Sequence, residues 1–254
     1  MKRLEGKVFI VTGGGHGIGA EYCKGLAMEG AKVTVADIDF PAAESVAEAL
    51  ICEGGSALPF QCDVSSEQET LTMAQRTYEK FGKIDVLINN AAYFATIPIS
   101  RIPCDELSIK EWDRVMEVNV KGVFLCCRAV LPYMKKQNSG RIINIASNAI
   151  FHGQGFRIHY VASKAALIGF TRTLAREVGP FGITVNSVSP GSTFSESPDN
   201  VEARKKSESF IKTRCIQRMQ WPKDLLGTII FLSSQDSEFI SGQNIIVDGG
   251  TVFQ

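Results

Sequence analysis

The sequence predicts a single α/β domain built on a doubly wound, parallel, seven-stranded sheet, and three observations carry that prediction. Short β-branched runs alternate with amphipathic stretches of helical length along the chain. Helix punctuation falls between them, with Ser66 before an acidic first turn, Gly82 after Phe81, and Gly179-Pro180 at the end of a long helical pattern. No repeat, low-complexity tract or linker interrupts the 254 residues, so 1–254 reads as one unit. Lys7–Thr12 followed by the pattern Glu21–Met28 forms the first βα unit. Further strands are expected near 32–36, 56–61, 84–88, 140–146, 183–188 and 243–247. Helices are expected near 41–53, 67–81, 111–136, 158–178 and 223–233. Seven strands with crossover helices require a parallel sheet wound in both directions.

Two segments break this rhythm, 93–108 and 191–215. Both follow strand ends, the side on which an open parallel sheet binds its ligands, and they are the expected substrate loops. The second opens Ser-Thr-Phe-Ser-Glu-Ser-Pro and continues as a charged helical stretch containing Arg204-Lys205-Lys206. The plain reading of that basic run is a solvated helix face.

Composition narrows the function classes. A hydrophobic fraction of 44% with 21% charged residues and 23 glycines describes a globular chain with a sizeable core and many tight turns. Basic and acidic residues both total 27, so there is no net field for nucleic acid or an anionic membrane surface. A partner must be recognised locally, which favours a small molecule. The seven cysteines include no C-x-x-C pair and no His/Cys spacing suited to zinc, so no metal is expected and a reducing cytoplasm fits best. The apolar run Val8–Val11 is far shorter than the roughly 20 residues of a membrane span, and no membrane association is expected.

Thr12-Gly-Gly-Gly-His-Gly-Ile-Gly19 follows the first strand and leads into a helix. In that context Gly13, Gly15, His16, Gly17, Ile18 and Gly19 form a turn able to approach a pyrophosphate and offer it a helix N-terminus. His16 is given no role as a base. The second strand ends at Asp37, with Ile38 beside it. An acid at that distance suits the carboxylate that holds adenosine ribose hydroxyls, and its charge would repel a 2′-phosphate. NAD is therefore expected rather than NADP. The alternative for Asp37 is a helix-capping carboxylate at a strand exit.

Tyr160-Val-Ala-Ser-Lys164 lies in the 158–178 helical pattern, which puts the phenol and the ammonium on one face. A tyrosine is a poor base at neutral pH, and lowering its pKa by about three units takes roughly 4 kcal/mol. A nearby ammonium is a candidate source of that stabilisation. Taken alone, the pair is an ordinary exposed helix pair.

The set Thr12-Gly-x-x-x-Gly17-Ile-Gly19, Asn89-Asn90-Ala91, Asn119, Ser147, Tyr160-x-x-x-Lys164 and Pro190-Gly191 resembles the short-chain dehydrogenase/reductase family in order and spacing. The resemblance continues through Trp221-Pro-x-Asp224 and Ser241-Gly-x-Asn244-Ile-Ile-Val-Asp-Gly-Gly250. It implies a Rossmann-type fold and a catalytic set of Asn119, Ser147, Tyr160 and Lys164. Tyr160 would be the general base, Lys164 would lower its pKa and bind the nicotinamide ribose, and Ser147 would hold the reacting oxygen. Asn119 would hold a water linking Lys164 to solvent. Cys62, Asp63 and Val64 would contact adenine, and Asn90 and Ala91 would support the cofactor. Pro190 and Gly191 would begin the turn that meets the nicotinamide, with Thr193 at its carboxamide. A homotetramer joined through helices 111–136 and 158–178 is implied as well. Ala92 stands where many members have glycine, Ser195 stands where threonine is common, and the segment from Ala92 to Trp112 looks longer than usual.

Asn148, Ile150, Phe151, His152 and Gln154 follow Ser147 toward the Tyr160 helix. With Tyr93, Phe94 and Phe194 they suggest a partly aromatic pocket bearing a few hydrogen-bonding groups. Ser147, Asn148, His152, Tyr160 and Phe194 are the substrate candidates. His159 reads as structural. The expected activity is NAD-dependent, metal-independent interconversion of a secondary alcohol, cyclic, aryl or sugar, and its ketone. A polar acid bound by Arg157 or the 204–206 cations is also open. An NADPH-dependent 3-oxoacyl-thioester reductase is the alternative enzyme, and a non-catalytic nucleotide sensor the alternative from another class.

Overall fold

The computed structural model describes residues 2–94, 99–195, 204–205 and 208–253. Parts of both expected substrate loops, 95–98 and 196–203, and the cation Lys206 lie outside the described residues. Seven strands, β1 Val8–Thr12, β2 Lys32–Asp37, β3 Ser56–Gln61, β4 Val86–Asn89, β5 Gly140–Ile145, β6 Ile183–Pro190 and β7 Asn244–Val247, pair in parallel in the order 3-2-1-4-5-6-7. The helices are α1 Gly17–Met28, α2 Phe40–Cys52, α3 Glu67–Phe81, α4 Ile109–Met116, α5 Gly122–Gln137, α6 Ala149–His152, α7 Ile158–Val178 and α8 Lys223–Ser233.

Strand periodicity of two sorts the apolar side chains into two cores. Phe9, Val11, Val33, Val35, Val86 and Ile88 meet Leu26, Val46 and Leu225 from α1, α2 and α8. Ile10, Leu87, Ile142 and Val185 turn the other way, toward Met73, Val130 and Leu167 from α3, α5 and α7. Each such residue gives about 1.5–3 kcal/mol when fully buried, which is why these strands carry apolar side chains on both faces. Strand order reverses between β1 and β4, so the chain leaves their C-terminal ends in opposite directions and opens a crevice there. Inside the second layer a buried polar chain joins β4, β5 and α7. Asn89 donates to Asn144 Oδ1 at 2.8 Å, and Asn144 donates to Thr171 Oγ1 at 2.9 Å.

Local chemistry explains the helix ends. The Ser66 hydroxyl accepts from Glu69 N–H at 3.3 Å, and Gly82 closes α3 at φ +79°. Asp39, not Asp37, caps α2, accepting from Ala42 N–H at 3.3 Å. The first helix starts at Gly17 rather than Glu21. A Cβ on Gly19 would overlap the Gly13 carbonyl oxygen, so close packing demands glycine where propensity alone disfavours a helix. The single helix expected over 111–136 is instead two, joined by a π-helical turn at Glu117–Lys121. That turn carries Asn119 inward, where it is fully buried.

Candidate active site

The crevice is a cleft of about 670 Å³ at the C-terminal ends of the strands. At one end lies the glycine loop. Gly13 sits at φ +63°, and a Cβ there would come within 2.9 Å of the Ala91 Cα, so the turn passes too near the end of β4 for any side chain. Asn90 holds the turn from below, donating to the Thr12 and Gly13 carbonyls at 3.1 and 3.0 Å. Thr12 Oγ1 in turn accepts from Asn90 and Ala91 N–H at 3.1 and 3.2 Å. His16 at the start of α1 makes no side-chain cap, so the first N–H groups of that helix are left for an anion. These features fit a dinucleotide pyrophosphate.

Asp37 is nearly buried at the end of β2. Its Oδ2 accepts from Gly15 N–H at 2.9 Å and its Oδ1 from Asp39 N–H at 3.1 Å. The imidazole Nε2 of His16 lies 2.9 Å from Asp39 Oδ2, so this ring is engaged by a second acid. On the neighbouring strand end, burial alone would raise the Asp63 carboxyl, but hydrogen bonds from Ser65 and Arg114 together hold it below the usual range. Arg114 reaches Asp63 at 3.2 Å and Glu117 at 2.9 Å.

At the other end stand Ser147, Tyr160 and Lys164. Burial pushes the Tyr160 phenol above its ordinary pKa, offset in part by a hydrogen bond from Ser147 and by the Arg157 charge. The Lys164 ammonium donates to the Ile145 carbonyl at 2.7 Å, and burial pushes its pKa down to about 8. Arg157, just before the same helix, thus adds a second cation to the end of the cleft where the helix spacing places Lys164. Phe94 stacks on Tyr160 with ring centroids 4.4 Å apart, and the Arg157 guanidinium lies 5.1 Å from the Phe94 centroid.

Every catalytic, cofactor and substrate candidate lines this cleft except Gly15 and Asn119. Gly15 serves from behind by binding Asp37. Asn119 accepts from Tyr93 N–H at 2.7 Å and donates to Ser163 Oγ at 3.0 Å, so its amide ties the first substrate loop to α7. Among the substrate candidates, Asn148 lines the cleft but donates to Asp248 Oδ2 at 3.0 Å, while His152 is exposed at the rim. Phe194 meets Trp221 edge-on at 5.5 Å. Ile150 and Phe151 stand outside the lining, and Gln154 and Arg157 within it. His159 is buried with Nε2 3.3 Å from Glu111, which also accepts from Ser100 N–H and hydroxyl. Arg204 pairs with Glu208 at 3.2 Å on an exposed helical turn, the solvated face expected of the basic run. Arg101, Arg114, Arg214 and Thr251 also line the cleft and were not read from the sequence. Their signal is absent locally, because Arg114 reaches Asp63 across 51 residues. No group of three or more His, Cys, Asp or Glu side chains suited to a metal ion occurs among the described residues.

A parallel sheet with a glycine-loop cleft at its switch point, and a serine and a buried tyrosine farther along the same cleft, is the architecture of a nicotinamide-dependent oxidoreductase. The chain belongs to the short-chain dehydrogenase family, whose model matches residues 7–206. It is 37% identical over 254 residues to a 3-oxoacyl-[acyl-carrier-protein] reductase of Synechocystis sp., covering 99% of both chains. It is 32% identical over 249 residues to D-threitol dehydrogenase of Mycolicibacterium smegmatis, covering 98% of this chain and 94% of that one. The crystal structure of NAD+-bound xylitol dehydrogenase superposes with a TM-score of 0.89 at 31% identity, covering 98% of this chain and all of the other.

Proposed function

We propose that this enzyme is an NAD-dependent dehydrogenase that interconverts a secondary alcohol and its ketone, with Tyr160 as general acid and base. The observation that carries the cofactor choice is Asp37, buried at the end of β2 near a second carboxylate, Asp39, that engages the His16 imidazole of the glycine loop. Its second lone pairs suit the paired hydroxyls of an unphosphorylated ribose. The NAD+-bound xylitol dehydrogenase and the D-threitol dehydrogenase support the same choice. The similarity to a 3-oxoacyl reductase favours a second reading, reduction of an oxoacyl thioester. Asp37 weighs against that reading if the donor is NADPH.

When bound, a nicotinamide cofactor would supply the hydride acceptor for the carbinol carbon. Ser147 holds the alcohol oxygen, and Tyr160 takes the hydroxyl proton as the carbon–oxygen bond becomes a carbonyl. In reverse, the protonated phenol returns that proton. Lys164 would hold the nicotinamide ribose, leaving the Ile145 carbonyl to do so. Gly13 to Gly19 would hold the pyrophosphate, Cys62 to Val64 the adenine, and Pro190 to Thr193 the carboxamide end. Residues 93–108 and 191–215 would enclose the substrate.

A groove lined by Met116, Val120, Phe124 and Phe170 and rimmed by Asp113, Glu117 and Lys121, where α4, the π-helical turn and α5 meet α7, supports assembly as a homotetramer through these helices. Seven free cysteines support a reducing, cytoplasmic setting. The test is NADH formation over a panel of cyclic, aryl, sugar and acid-bearing secondary alcohols. Tyr160→Phe should lower kcat by about 10²- to 10⁴-fold on whichever alcohol turns over. Unchanged turnover would reject the assignment.

A further inference from the structure

We infer that the substrate carries an oxyanion, carboxylate or phosphate, which Arg157 binds with help from Arg101 at the end of the cleft beyond Tyr160. The inference rests on the dehydrogenase reading and adds the substrate's charge to it. Arg157 is more than nine-tenths buried, lines the cleft, and its Nε has no hydrogen-bond partner. Among the described residues its guanidinium makes one hydrogen bond, from Nη1 to Gln154 Oε1 at 3.3 Å. No carboxylate lies within ion-pair distance of Arg157 or Arg101 among the described residues, although both line the same cleft. A buried guanidinium without an acid is costly unless something else supplies the charge.

The other guanidiniums of the cleft are already engaged. Arg114 is paired with Asp63 and Glu117, and Arg214 donates to the Ser192 and Arg218 carbonyls. Among the described residues the acids lining the cleft are Asp37, which ends β2, and Asp63, which follows β3, while Arg157 caps the start of α7 on the far side of β4. Burial depresses the Arg157 pKa and the Arg101 charge depresses it further, against a smaller opposing effect of the Tyr160 phenol, so two cations meet at this end with no carboxylate beside them among the described residues.

The backbone is bent to put the guanidinium there. Phe156 takes φ +60°, a conformation unfavourable for a bulky side chain, and leaves its ring 66% exposed while the next residue turns inward. Phe94 then sets the reach, because its ring touches both the Tyr160 ring and the Arg157 guanidinium. A substrate whose reacting oxygen meets Tyr160 would set an anionic group a few bonds away against Arg157. A planar guanidinium with an open Nε suits the two oxygens of a carboxylate or phosphate.

Matched pairs of ketones differing only in charge provide the test: acetoacetate and 4-oxopentanoate against their methyl esters, and dihydroxyacetone phosphate against dihydroxyacetone. NADH oxidation and calorimetric binding to the NADH-loaded enzyme are measured for each. At least one charged member should exceed its neutral partner tenfold or more in kcat/KM, and the pair that does so separates carboxylate from phosphate. Arg157→Gln should collapse that ratio by at least thirtyfold, mainly through KM, and Arg157→Lys should restore part of it. NADH titration checks that the variants are folded. Neutral members used as well as charged ones in every pair, or an unchanged ratio in Arg157→Gln, would overturn the anion site and leave the dehydrogenase reading intact. Arg157-dependent binding of a charged probe without any turnover would do the reverse.

Discussion

Replacing Asp37 by asparagine should convert an enzyme selective for NADH into one that binds NADPH comparably. The carboxylate is 8% exposed, so solvent does little to screen it. At about 5 Å, with an effective dielectric near 20, each unit of phosphate charge costs roughly 3 kcal/mol. Allowing half for salt and rearrangement, a 2′-phosphate of nearly two charges loses about 2–3 kcal/mol, or roughly 30- to 150-fold in affinity. Asparagine removes the charge but keeps a carbonyl oxygen for the Gly15 N–H that Asp37 now accepts at 2.9 Å. The glycine loop therefore keeps its hold, while the amide nitrogen gives up the bond from Asp39 N–H at the other oxygen, a loss common to both cofactors that cancels in the NADH-to-NADPH ratio. Fluorescence titration with NADH and NADPH, at fixed ionic strength, gives both dissociation constants for both proteins. The wild type should bind NADH at least tenfold more tightly, and Asp37→Asn should bring the two within a few-fold. Equal affinities in the wild type would refute the reasoning.

Gly19→Ala places a methyl group on the Gly13 carbonyl oxygen and against the Asn90 amide, so NADH affinity should fall at least tenfold and the melting temperature should drop, as thermal unfolding would record. Lys164 gives a pH signature. Its folded pKa of about 8 lies below its ordinary 10.5, so the unfolded chain binds more protons between those values and stability rises with pH across that window. The burial penalty is fully present below pH 8, amounts to about 3 kcal/mol, and fades toward pH 10. Denaturant unfolding of the ligand-free protein should show this rise, and Lys164→Met should abolish it.

Much of the fold was legible because it is written in short-range pattern. Periods of 2 and 3.6 gave seven strands and most helices, and Ser66 and Gly82 marked the ends of α3 by backbone chemistry that needs no distant partner. The glycine loop was equally local, and so was the spacing of Tyr160 and Lys164. The π-helical turn at Glu117–Lys121 was not, since nothing in that run announces it and Asn119 finds its partners in Tyr93 and Ser163.

The charges around the site divide in the same way. The sequence by itself placed an acid at the end of β2 and a tyrosine and lysine one helical turn apart. Tertiary structure alone decided that Asp39 rather than Asp37 caps α2, that Arg114 is consumed by Asp63, and that Arg157 is left buried with no acid paired to it among the described residues. The physical reason is that hydrogen-bond partners within a turn follow from chain geometry. Desolvation and ion pairing instead depend on which residues, often more than 50 positions apart, the folded sheet brings to one cleft.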